Sequence, residues 1–142
     1  MIQEFAEAWS ANKDDLEQVI SESKNHSSWN YDDLLKLLFE VVINPYCNDH
    51  GLGTFDLEDL VEIDHGFYSG TLIFVLHRSA YPDVSDYIYT SVWYGSCSGC
   101  DVLQGIQACG AYNSTPQEQQ VKDYLGECLH LLEACHYMKE YE

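Results

Sequence analysis

The sequence predicts an α+β domain, a three-stranded antiparallel meander set between N-terminal and C-terminal helices. The pattern of apolar residues carries this prediction. They recur at helical spacing as far as Ile43, give way near Leu57 to short runs of branched and aromatic residues, and return to helical spacing beyond Cys100. At 142 residues and 46% hydrophobic content the chain has the length of one domain and enough apolar material for a core, so residues 1–142 read as a single domain.

Near the N-terminus Ile2, Phe5, Trp9, Leu16, Val19 and Ile20 fit one amphipathic helix reaching about Ser23, or two shorter ones broken near Asn12. A second helix, Tyr31 to Ile43, follows Asn30, whose side chain suits an N-cap. Asp32 and Asp33 lie in its first turn, where the helix dipole favours negative charge. It is expected to stop at Asn44-Pro45, because a residue before proline is pushed out of the helical region. Leu60 to His65, Thr71 to Arg78 and Asp86 to Tyr94 read as strands, separated by Gly66, Gly70 and Pro82. The middle run is apolar almost throughout and is expected to be central and covered on both faces. The third alternates so that Tyr87, Tyr89 and Trp93 share a face, with Trp93 expected in the core. Asp101 to Gln107 reads as a short helix ending at Gly110. Thr115, Pro116 and Glu118 form a capping-box pattern ahead of a stripe of Val121, Leu125, Cys128, Leu132 and Cys135.

Composition excludes several functions. Asp and Glu number 24 against 6 Lys and Arg, giving a net charge of −18, and Arg78 is the only arginine, so direct binding of nucleic-acid phosphates is not expected. No run approaches the roughly 18 apolar residues of a membrane span. The first residues lack the basic and apolar regions of a secretory signal, so a cytoplasmic location is expected and the six cysteines read as thiols or metal ligands.

Cys97-Ser98-Gly99-Cys100 is the sharpest motif, because a C-x-x-C turn with glycine can converge two thiolates on one ion. Cys47 and His50 form a second half-site, spaced C-x-x-H. If antiparallel pairing brought the two loops to one end of the domain, Cys47, His50, Cys97 and Cys100 would make a tetrahedral structural zinc site. His130 or His136 could replace one member if the last helix packed over the turn. A strand followed by C-x-x-C and a helix also describes a thiol-redox turn. No later run reads as the further strand that a thioredoxin sheet needs, so a small thiol-redox enzyme is the alternative reading. Packed free thiols are the third.

No persuasive catalytic set occurs: GxSxG, HExxH and the P-loop pattern are absent. Between Lys36 and Arg78 there is no basic residue, while Asp56, Glu58, Asp59, Glu62 and Asp64 crowd one strand and its approach. A charge of −18 exceeds the roughly 2–8 units sufficient for solubility and would steer the protein toward a basic surface. These five carboxylates are therefore the candidate partner-binding residues.

The octapeptide YGSCSGCD, with GTLIFVLHR before it and the terminal LHLLEACHYMKEY, resembles a group of small phage-encoded proteins over roughly residues 68–141. Size, acidity and the cysteine turn are also similar to the metal-containing phage anti-CRISPR proteins that inhibit type II CRISPR nucleases. The resemblance implies stoichiometric binding of a host CRISPR nuclease, or another nucleic-acid-processing protein, in the bacterial cytoplasm. An acidic face would occupy a basic channel of the nuclease and block nucleic-acid loading or cleavage. A structural or regulatory phage protein without a defence target is a further alternative.

Overall fold

The computed structural model describes residues 1–111 and 113–138. Helix α1 spans Gln3–Ser21 without interruption. Asn12 does not break it, because its side-chain amide turns inward and donates to the Val42 carbonyl at 2.9 Å. Helix α2, Tyr31–Leu38, begins with a capping box between Asn30 and Asp33. The chain does not stop at Asn44-Pro45. It widens into a π-turn over Phe39–Ile43 and continues as α3, Asn44–Asp49. Pro45 comes just after the π-turn, in the opening turn of α3, and the wider turn carries the helical chain past a residue that has no N–H to donate.

Strands β1 (Val61–Gly66), β2 (Gly70–His77) and β3 (Tyr87–Tyr94) form the expected antiparallel meander. The sheet has one strand more than predicted. β4, His136–Tyr137, pairs antiparallel with β3, giving the order β1-β2-β3-β4. Its two residues are too few to show an alternating pattern, and Met138 N–H extends the pairing to the Tyr87 carbonyl at 2.9 Å. Before it, α4 spans Val102–Gln107 and α5 spans Glu118–Glu133. The capping box of α5 is formed by Gln117 and Gln120, not by the Thr115-Pro116 pattern. Among the described residues no helix is long and apolar enough to cross a membrane.

The helices pack on one face of the sheet. Phe5, Phe39 and Phe55 meet edge to face with centroids 5.3–5.9 Å apart, and Phe74, Leu76 and Ile88 close the core from the strands. Thr90 Oγ1 donates to the Leu131 carbonyl at 2.7 Å, tying β3 to α5. Arg78 is drawn inside as well. Its guanidinium lies 4.5 Å over the Phe55 ring and 3.5 Å from Glu4, so the single arginine is withdrawn from the surface.

The opposite face of β2 is not covered as the apolar run suggested. Val61 and Ile63 of β1 and Trp93 of β3 are about half exposed there, and Ile73, Val75, Tyr87 and Tyr89 share the same side by register. Trp93 therefore belongs to the open face rather than the core.

Candidate functional site

The segment YGSCSGCD is the loop between β3 and α4, organised by a buried carboxylate. Asp101 is 4% exposed and caps α4. Its Oδ1 accepts the Gln104 N–H at 2.9 Å and the Tyr31 hydroxyl at 3.2 Å, while Oδ2 accepts the Gly95 N–H at 2.9 Å. The Cys97 carbonyl accepts N–H groups from Cys100 at 3.1 Å and Asp101 at 2.9 Å, which closes the turn. Gly95 is required for close approach, since a Cβ there would stand 2.7–2.8 Å from the Cys100 carbonyl group and Sγ.

The two thiols of this loop are exposed and in contact. Their Sγ atoms lie 2.7 Å apart, and the Cys97 N–H points at Cys100 Sγ at 3.0 Å. These contacts from Cys97 hold the Cys100 thiol below its usual range. Burial does the reverse elsewhere: it raises Cys47 and Cys128 and pushes Cys135 up to about 12.

The predicted zinc quartet does not assemble. Cys47 is buried in α3 with Arg78 Nη2 3.7 Å from its sulfur, and His50 stacks on Tyr46 while its Nδ1–H donates to the Tyr46 carbonyl at 2.9 Å. Arg78 follows the end of β2, whereas Cys97 follows Tyr94, which pairs with Gly70 at the start of β2. An eight-residue strand, roughly 25 Å, separates the two half-sites. The reason is topological: three antiparallel strands return the chain at the end opposite to the one where it entered. His130 and His136 do not complete the pair either. Among the described residues, the one group of three His, Cys, Asp or Glu ligand atoms within 4.8 Å of one another is Asp56, Asp59 and His77.

The five candidate carboxylates divide into two sets. Asp56 and Asp59 lie beside His77, whose Nδ1–H donates to the Ser79 carbonyl at 3.0 Å and whose Nε2 faces Asp59 at 3.3 Å. Glu58 belongs to the same turn, donating its N–H to Asp56 at 3.0 Å. Glu62 and Asp64 instead line a cleft of about 380 Å³ together with Asp32, Tyr31, Trp29 and Tyr94. The Tyr94 hydroxyl donates to Asp64 at 2.6 Å. Desolvation, followed by the charges of Asp32, Asp64 and Asp33, raises the Glu62 carboxyl above its ordinary value. Gly95 and Asp101 line this cleft too, so the cysteine loop and the acidic wall border one space.

The first-turn position of Asp32 and Asp33 does not by itself reveal the cleft that Asp32 lines. A helix-dipole pattern reports only its own first turn. Asp101, placed directly before a short helical run, carried a local N-cap signal. Compared with protein-family models, curated proteins and solved structures, the chain matches none of them.

Proposed function

We propose that this chain is a stoichiometric binding protein that docks on a basic protein surface through β1 and the acidic cleft beside it. The target class is the one the resemblance implies, a CRISPR nuclease or another nucleic-acid-processing protein of a bacterial host, met in the cytoplasm. One observation carries the reading: the two-sided character of β1. On one side Val61 and Ile63 are 51% and 47% exposed. On the other, Glu62 meets the charges of Asp32, Asp64 and Asp33, and the Lys36 ammonium that offsets them is already 4.0 Å from Asp32. Such a wall holds mutual repulsion that cationic side chains of a partner would relieve, while the apolar side supplies area for a dry contact. β1 is also the outermost strand of the sheet, so one row of its backbone N–H and C=O groups is open to an added strand.

The protein would act by occupancy. Nucleic-acid channels hold backbones with Lys and Arg, and a folded carboxylate surface competes for those groups. The test is the affinity of the wild type and of Glu62→Lys/Asp64→Lys for a purified type II CRISPR nuclease across a salt series. Wild-type affinity should fall as salt rises, mainly through the association rate, and the double variant should bind at least about tenfold more weakly. Equal affinity of the two folded proteins, indifferent to salt, would reduce the acidic wall to a solubility feature.

A further inference from the structure

We infer that Cys97 and Cys100 form a redox-active dithiol that exchanges with low-molecular-weight disulfides and closes to an intramolecular disulfide. The loop is built around the two sulfurs. They are exposed and 2.7 Å apart, so about 0.7 Å of approach completes a bond of roughly 2.05 Å. Glycine at 95 gives Cys100 its space, and the buried Asp101 carboxylate fixes both ends of the turn. Cys100 is the attacking thiol, since the Cys97 N–H at 3.0 Å and the Cys97 thiol both stabilise charge on its sulfur. Cys47, Cys128 and Cys135 are no more than 2% exposed and do not compete. This inference does not depend on the proposed partner.

The exchange balances in two steps. The Cys100 thiolate attacks one sulfur of the external disulfide, forming a mixed disulfide and expelling one external thiolate. Cys97 then loses its proton to solvent and attacks Cys100 Sγ, expelling the second. The protein dithiol is oxidised by two electrons and the external disulfide is reduced to two thiols.

The full chain, carrying Cys109→Ser to remove the remaining exposed thiol, is purified reduced and mixed with glutathione disulfide. Intact mass should show the loss of two hydrogens, and peptide mapping should place the bond between Cys97 and Cys100. Cys97→Ser should accumulate a glutathione adduct on Cys100 that does not resolve. Cys100→Ser should form its adduct on Cys97 at least about tenfold more slowly. Failure of the dithiol to close under excess glutathione disulfide would overturn the inference. So would equal adduct rates in the two serine variants, or a metal equivalent on the pair that must be stripped before the thiols react.

Discussion

Replacing Asp101 with alanine should cost about 3 kcal/mol of folding stability. The side chain accepts three hydrogen bonds in a buried setting, from Gly95, Gln104 and Tyr31. Bonds to a charged acceptor contribute about 1.5–3 kcal/mol each; with the Tyr31 bond long at 3.2 Å, the three together fall toward the lower part of that range and their loss forfeits roughly 5–6 kcal/mol. Relief of the desolvation carried by a carboxylate that is 4% exposed returns about 2–3 kcal/mol. The difference corresponds to roughly 10 °C in Tm for a chain of this length. Thermal and urea unfolding followed by circular dichroism measure it, and Asp101→Asn, which keeps one acceptor oxygen, should lose about half as much. A Tm for Asp101→Ala within about 2 °C of wild type would mean that the Gly95 and Gln104 N–H groups find other partners and that the carboxylate does not hold the loop.

Two further outcomes follow from charge burial. Glu62→Gln should leave stability at neutral pH unchanged or raise it by about 0.5 kcal/mol or less after solvent screening, since its carboxyl is raised by desolvation and by neighbouring acids; a loss above about 1 kcal/mol in urea unfolding would mean that the ionised group is paired. His26 is 1% exposed, lies 2.6 Å from the Tyr124 hydroxyl, and is lowered below 6.5 chiefly by desolvation. The unfolded chain therefore takes up a proton that the folded chain resists, and stability is lost as pH falls below about 6.5. The stability difference between wild type and His26→Gln should shift against the wild type from pH 7 to pH 5, and a constant difference would contradict this assignment.

Local patterns in the sequence carried the fold class, because each depends on neighbours along the chain. The switch of period near Leu57 and the Asn30 cap both correspond to observed features, and strand runs fall within about one residue of β1, β2 and β3. Features set by distant partners were not legible. The spacing around Asn12 allows one helix or two, and the contact of its amide with Val42 decides for one; β4 exists because two residues after α5 find the edge of β3. The apolar run of β2 suggested cover on both faces, yet its second face stays open beside Val61, Ile63 and Trp93. The zinc quartet failed on a point that the strand count already contained, since three antiparallel strands put the Cys47 and Cys97 loops at opposite ends. The cysteine turn was visible as a motif. Its proximity to Glu62, Asp64 and Asp32 needed the folded chain.

The most direct test of the acidic-wall proposal is a titration of target-DNA cleavage by a purified type II CRISPR nuclease against this protein, at low and at high salt. Complete inhibition is expected near one equivalent at low salt, weakened by added salt and by Glu62→Lys/Asp64→Lys. Cleavage that continues at full rate under excess protein at low salt, or inhibition untouched by salt and by charge reversal, would contradict that proposal.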